Sequence, residues 1–389
     1  MAAASNTRCI QEDRLSKLPD DILLSVLDRL DVRGAARSSI LSRRWRHLPL
    51  AISRITLDLK RHKLKDDGSK SALSKKARTN LSRQAVRALY LRFYLGDESV
   101  GIVRAVDDAM ARGCSIAKAT FVILGEKMDI QCTDEDLAGH AARFLSCLDA
   151  CPRAFAGLTA LHVESVKLGQ SDINNLLGTW GRLKSLSLLN CDSGRDTALV
   201  VQHPRIAVLK LVTCGTIQLR WLPELVKLTC ECWLPSRDPL LFGHVPRLRT
   251  LALATNCTSD YKILRLSELL DKNATVRELW MGWERLVCKK TFIEWEPSDF
   301  KRYNLAVLTI YGFRPEKMFM GYITRIMEQN RRTGRDDCIF CPSTTYPQTR
   351  TERNFIRKEI NEGRSSPINT ILFYARPMSV RDEPVEIID

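Results

Sequence analysis

Two close cysteine pairs, Cys338-Ile-Phe-Cys341 and Cys230-Glu-Cys232, are the places where this chain of 389 residues spaces soft metal ligands. A structural zinc ion takes four ligands, and no second pair at suitable spacing accompanies either one, so no metal site is expected. The six histidines, His47, His62, His140, His162, His203 and His244, show no H-E-x-x-H or other paired spacing. Asp107-Asp108 and Asp336-Asp337 are adjacent carboxylates, and neighbours in sequence project apart on a helix or strand, which makes them poor acid–base pairs. The chain contains no G-x-x-x-x-G-K-[ST] or G-x-G-x-x-G phosphate loop and no G-x-S-x-G nucleophile elbow. These absences predict a protein without catalytic residues, metal or cofactor. The chemistry left to read is non-covalent.

Non-covalent chemistry concentrates in residues 15–48, LSKLPDDILLSVLDRLDVRGAARSSILSRRWRHL. Asp20 and Asp21 follow Leu18-Pro19 and place carboxylates at a helix start, where free N–H groups and the dipole favour them. Ile22, Leu23, Val26, Leu27 and Leu30 recur at helical spacing. Asp31 can cap a second short helix, Val32 to Ser39, and Ser42 a third that carries Trp45 and Leu48. A block of about 35 residues cannot bury this many apolar side chains by itself, so the surplus predicts a partner surface.

The combination of Leu15, Leu18-Pro19, Ile22-Leu23, Val26-Leu27, Leu41-Ser42 and Trp45 resembles the F-box. That module docks a substrate receptor onto the SKP-family adaptor of cullin-type ubiquitin ligases. Its end, SILSRRWRHL, is most similar to the plant branch, where S-x-L-S-[RK]-R-W-R follows the second helix. The resemblance covers roughly a tenth of the chain. It implies that Leu15, Leu18, Pro19, Ile22, Leu23, Val26, Leu27, Leu41, Ser42 and Trp45 form the adaptor-binding site.

A second pattern fills the middle. Leu183, Leu186, Leu188 and Cys191 form L-x-x-L-x-L-x-x-C, and Ile206, Leu209, Leu211 and Cys214 repeat it. Further copies are Leu158-Leu161-Val163-Val166, Leu225-Leu228-Cys230-Trp233, Leu248-Leu251-Leu253-Asn256, Val276-Leu279-Met281 and Leu305-Leu308-Ile310. Two weaker ones are Ala88-Leu91-Phe93 and Ile116-Ala119-Phe121. From Leu158 onward the first residues are spaced by 25, 23, 19, 23, 28 and 29. Template and intervals resemble the leucine-rich repeat, which has a period of roughly 20–29 residues. Each L-x-L puts two side chains on one face of a short strand, and no single copy can bury that face, so copies must stack into a parallel sheet. The cysteine at the last template position is expected to turn inward and satisfy backbone groups at the bend. A doubly wound α/β fold also alternates strand and helix, but a βαβ unit needs about thirty residues, and the shorter intervals count against it.

Between some copies the sequence predicts helical returns. Ser99 opens a stripe of Val100, Val103, Val106 and Met110 that Gly113 stops. Thr133 and Asp136 form a capping box ahead of Leu137, Phe144, Leu145 and Leu148. Glu316–Gln329 carries Met318, Tyr322, Ile326 and Met327 at similar spacing. Thr351–Asn361 is expected to be helical with Phe355, Ile356 and Ile360 on one side, and Ile368–Tyr374 to be a last strand covering the sheet edge.

The net charge is +15 and the pI about 9.3. Residues 60–87 hold ten Lys or Arg against two Asp, which reads as a solvated loop, with an import signal at Lys60-Arg61 or Lys75-Lys76 as the sharper alternative. A phosphate-contacting arm is the remaining reading; no aromatic residue interrupts the run, which disfavours base stacking, and charge concentrated in a loop rather than spread over the repeats ranks nucleic-acid binding below protein binding. Arg220, Lys227, Arg247, Arg249 and Arg277 lie near strand starts, where an anion could sit, and read first as solvated surface charge. The thirteen scattered cysteines fit buried reduced thiols. No run of about eighteen apolar residues exists, so no membrane span is expected, and the N-terminus has no secretory apolar region. Location in the cytoplasm, the nucleus or both follows.

The expected architecture is α/β: a small three-helix F-box over residues 10–50, a first strand and basic linker over 51–87, an irregular leucine-rich-repeat solenoid with a parallel sheet over 88–335, and a C-terminal cap and tail over 336–389. The family resemblance implies a substrate-recognition subunit of an SCF-type E3 ubiquitin ligase. The F-box would reach the SKP-family adaptor and the cullin, and the repeats an unidentified target protein. The alternative is a repeat-based interaction scaffold independent of any ligase.

Overall fold

The structure is a computed structural model. It describes residues 17–27, 37–38, 40, 43–45, 54–58, 85–96, 99–125, 132–191, 198–214, 216–231, 240–255, 275–283, 306–313, 320, 337–342, 349–361 and 370–373. The basic segment 60–84 and most of Glu316–Gln329 lie outside these residues, as do Trp233 and Asn256.

The inward leucines explain the architecture. Leu57, Leu91, Phe121, Leu161, Leu186, Leu209, Leu228, Leu251, Leu279 and Leu308 pair directly from strand to strand in one column. They belong to ten strands of one sheet: β1 (Arg54–Asp58), β2 (Ala85–Tyr94), β3 (Ser115–Leu124), β4 (Ala160–Glu164), β5 (Ser185–Leu189), β7 (Val208–Val212), β9 (Lys227–Glu231), β11 (Thr250–Thr255), β12 (Glu278–Trp283) and β13 (Val307–Phe313). Two further strands, β14 (Asp337–Pro342) and β15 (Thr370–Phe373), complete a sheet of twelve parallel strands in chain order. Because strand side chains alternate, every second residue of each strand points to the same side, and there the leucine column joins one continuous core. Strands therefore join the sheet on both sides of the 88–335 span.

One expected copy is out of register. Ile116-Ala119-Phe121 puts Ala119 at the middle template position, but Phe121 is the residue that pairs with Leu161. The slip is two residues. β3 spans ten residues and keeps Ile116, Ala119, Phe121 and Ile123 all buried. A period of two fixes which face is inward but not which inward pair fills the template.

The returns change character along the sheet. After β2 the chain returns through helix α2 (Ser99–Ala111), after β3 through α3 (Asp134–Ala150) and α4 (Pro152–Ala156), and after β4 through α5 (Gln170–Thr179). Gly113 ends the turn after α2 at φ 91°, a conformation glycine adopts without a Cβ clash. Thr133 caps α3 as expected: its hydroxyl accepts from Asp136 N at 3.2 Å, and Asp136 accepts from Thr133 N at 3.0 Å. Asp107, buried on α2, accepts from Ala154 N at 2.9 Å and caps the short α4. The adjacent carboxylate pair thus splits into a buried cap and a half-buried Asp108.

The three shortest intervals, of 23, 19 and 23 residues, return through strands instead: β6 (Leu199–Gln202), β8 (Ile217–Trp221) and β10 (Leu240–His244). These pair in a second parallel sheet of three strands, ordered β10-β8-β6. Phe93, Phe121, Phe144, Phe155 and Trp180 join the two sides of the first returns through ring contacts of 5.5–6.5 Å. Helix α6 (Arg350–Asn361) buries Ile356 and Ile360, while Phe355 is exposed. Phe355 and Ile356 are neighbours about 100° apart on a helix, so one of them must leave the buried side.

The bend after each strand repeats as well. Ser165, Asn190 and Thr213 follow β4, β5 and β7 with φ of 57°, 51° and 51°. Each donates its N–H to the next strand: Ser165 to Leu189 O at 2.8 Å, Asn190 to Val212 O at 2.7 Å, Thr213 to Glu231 O at 2.9 Å. Cys191 and Cys214, one residue on, are buried, and their thiols donate to Val163 O at 3.5 Å and Leu188 O at 3.6 Å. This is the inward role expected of the last template position.

A β-branched residue with positive φ is the most strained of the three, at about 1–2 kcal/mol for the left-handed region. Thr213 is exposed. Thr213→Gly should therefore leave stability unchanged or raise it by about 0.5 kcal/mol in urea unfolding, whereas glycine at an ordinary strand position costs about that much.

Candidate partner-binding site

Helix α1 (Asp20–Leu27) carries apolar residues on two adjoining sides. Leu23 and Leu27 are fully buried, and with Trp45 they form a small core of their own, against which Leu18 packs. Asp20 and Asp21 sit in the first turn, as expected. Arg44, next to Trp45, donates from Nε to Asp20 Oδ1 at 2.7 Å and from Nη2 to Leu18 O at 2.6 Å. The helix start is thereby tied to the segment that brings Trp45 under α1. Residues 37–38 and 43–45 are helical, and Ser38 is buried.

The other apolar side faces outward. Ile22 is 45% exposed and Val26 40%, one helical turn apart, and Ile40 is 84% exposed. Pro19 is exposed as well. The ten residues implied as the adaptor-binding site therefore divide. Leu23, Leu27 and Trp45 build the module, Leu18 packs beside them, and Pro19, Ile22 and Val26 face solvent. Leu15, Leu41 and Ser42 lie outside the described residues. Ile40 was missed by the sequence reading, since one isoleucine in SSILS has no periodic partner to mark it.

On the large sheet, the face opposite the leucine column carries a polar row. Arg92, Val122, His162, Ser187, Lys210, Thr229, Ala252 and Trp280 pair successively from β2 to β12. Arg92 faces Asp58 at 3.8 Å. His162 Nδ1 lies 2.9 Å from Ser187 Oγ. Burial, then Lys210, then Arg92 push the His162 pKa down to about 4. Burial lifts the phenols of Tyr90 and Tyr94 above their usual value. His203 is buried, donates from Nε2 to Trp180 O at 3.1 Å and accepts on Nδ1 from Arg205 N at 3.1 Å. His140 donates from Nδ1 to Ser165 O at 2.8 Å. These histidines hold bends and strands together.

Cys114, Cys147, Cys151, Cys191, Cys214 and Cys230 are buried free thiols. Burial, reinforced by Cys151, raises the pKa of Cys147 to about 12. Burial, reinforced by Asp107, raises that of Cys151 to about 11. Such thiols are poor nucleophiles. Among the described residues no three His, Cys, Asp or Glu side chains gather as metal ligands, and no helix is long and apolar enough to cross a membrane. Cys338 lies on β14 in register with Leu308, while Cys232 lies outside the described residues.

Comparison with known proteins addresses the same module. Residues 15–49 match the F-box domain family. An F-box/FBD/LRR-repeat protein of Arabidopsis thaliana is 26% identical over 211 residues, covering 51% of this chain and 49% of that protein. A putative FBD-associated F-box protein of the same plant is 24% identical over 225 residues, covering 53% and 51%. A third Arabidopsis relative, an F-box protein, is 42% identical over 50 residues, covering 13% of this chain and 10% of its own. The chain thus spans about half the length of these relatives or less.

The titration of His162 gives a test of the polar row. Its folded pKa is depressed below the unfolded value, so folding stability is present above about pH 6.5 and falls as pH drops toward about 4. Thermal unfolding followed between pH 7 and pH 4 should show a loss of stability that shrinks in His162→Gln. An unchanged profile in that variant would mean that His162 is not held neutral on the sheet.

Proposed function

We propose, on the premise that this chain belongs to the plant F-box/LRR family, that it is the substrate-recognition subunit of an SCF-type E3 ubiquitin ligase. The observation that carries this reading is the division of apolar side chains in the F-box module. Among the described residues of the module, Leu23, Leu27 and Trp45 form a buried core while Ile22 and Val26, one turn apart on the same helix, and Ile40 are exposed, which leaves apolar surface for a partner. Pro19, Ile22, Val26 and Ile40 make the contact with the SKP-family adaptor, which a cullin carries in turn. Leu23, Leu27 and Trp45 hold the helix in place behind them.

The twelve strands in chain order are read as a leucine-rich-repeat solenoid, in which each copy buries its neighbour's leucine face. The repeats present a target protein, and the chain makes or breaks no bond itself. Its contribution is proximity: holding a target near the ubiquitin-loaded enzyme raises the effective concentration of target lysines. The residues found outward on α1, rather than the larger ones found inward, are the ones a docking test must change.

Titration calorimetry of the purified chain with a plant SKP-family adaptor should give micromolar binding or tighter. Ile22→Ser with Val26→Ser should weaken it about thirtyfold, roughly 2 kcal/mol, with the melting temperature little changed. Leu23→Ala with Trp45→Ala should instead unfold the module, each costing about 2–5 kcal/mol. Adaptor binding that survives the outward pair would remove the proposed interface. A folded chain that never binds would leave the ligase-independent scaffold.

A further inference from the structure

Arg249 and Arg277 precede β11 and β12 at equivalent positions, and the structure sets them side by side. Arg277 N donates to Arg249 O at 2.8 Å, Glu278 N to the same oxygen at 3.0 Å, and Arg249 N to Val226 O at 2.9 Å. Both side chains are exposed. Equivalent positions on neighbouring strands lie about 4.8 Å apart, and like charges set directly opposite one another are destabilising. Two carboxylates at the same strand starts already have partners of their own. Glu278 accepts from Thr250 Oγ1 at 3.0 Å, and Glu224 pairs with Arg247. Two like charges side by side are a cost that the strand pairing itself does not require.

The same row continues along the strand starts. Ala207 N donates to Lys184 O at 2.8 Å, and Val226 N to Ala207 O at 2.8 Å. The row therefore reads Lys184, Ala207, Val226, Arg249, Arg277. Lys184 is exposed, and Val226 is 37% exposed. Four strand spacings of about 4.8 Å put Lys184 roughly 19 Å from Arg277, with an apolar stretch between them. An extended peptide covers that distance with about six residues.

We propose that this row of strand starts binds an extended acidic segment of a partner protein, one with carboxylates at both ends and an apolar side chain between them. The arginine pair takes one acidic end, Lys184 the other, and Val226 the apolar centre. Charge complementarity selects an acidic partner, and the span selects an extended one. A compact polyanion would satisfy the arginine pair but leave Lys184 and Val226 unused. The inference rests on reading the repeats as the target-presenting surface, but its test needs no adaptor, so loss of adaptor binding would leave it standing.

The probe is a fluorescein-labelled peptide Asp-Glu-Val-Leu-Glu-Asp, titrated into the full chain by fluorescence anisotropy. Arg249→Glu with Arg277→Glu should weaken binding about tenfold or more. A control pair of equal charge, Arg104→Glu with Arg112→Glu, lies on and just after α2 and should change affinity by less than about twofold. Replacing Val-Leu of the peptide by Gly-Ser should also weaken binding. Circular dichroism spectra of both variant pairs should match that of the unchanged chain. Equal losses in the two variant pairs would assign binding to overall charge, and indifference to Val-Leu would assign it to a simple polyanion. Either result, or no loss on changing Arg249 and Arg277, overturns the proposal.

Discussion

The interaction on which everything else depends is the parallel pairing of L-x-L strands in one register. From β1 to β13 one column of inward apolar residues pairs from each strand to the next. Backbone hydrogen bonds fix the spacing, and alternation then delivers every inward leucine to a single column. Burial of that column supplies the driving force, but the ladder decides which atoms are buried. A one-residue slip in any copy would turn its leucines outward and bring polar residues in. A two-residue slip would keep the face and change only the length of the bend.

With the column fixed, the returns are free to vary, and they do so with interval length. Among the described returns, those after β2, β3 and β4 hold helices, and the three shortest hold strands of four or five residues, which pair with each other in the small sheet. A helix needs room to run antiparallel to its strand, whereas an extended return crosses the same distance with about half as many residues. Where β10 pairs with β8, a Cβ on Gly243 would lie 2.6 Å from Leu219 O and still closer to Arg220 O, so this small sheet packs too closely for a larger residue there. The two kinds of return thus follow from one constraint applied to different loop lengths.

This explains what could be read in advance. The strand leucines of the copies from Leu161 to Ile310, the α2 stripe and the Thr133 capping box are local patterns in which spacing and chemistry agree, and the structure places them as the sequence implies, with Trp233, Asn256 and Leu305 outside the described residues. The second sheet was not legible, because LVVQ, IQLRW and LLFGH are short apolar runs that periodicity cannot tell from loop packing. The buried cap made by Asp107 was equally hidden, since it joins residues 47 apart in sequence. In the F-box module the sequence marked which residues are apolar but not which way each one faces. Ile22 and Leu23 are equally apolar, and only the position of Trp45 under α1 decides which one is inside.

The same distinction governs how the positive charge should be read. A net charge of +15 on a chain with ten basic residues in one segment says little about any particular surface. What carries meaning is a cation whose position costs the fold something. Arg44 pairs with Asp20, Arg92 with Asp58 and Arg247 with Glu224, each beside a carboxylate supplied by its own surroundings. Arg249 and Arg277 sit beside each other on a ladder whose register is set by leucines that have no stake in the charge. The repeat template leaves those positions free, so adjacency there is not a by-product of stacking. Recognition in such a protein is to be sought where a free position has been filled against the interest of stability.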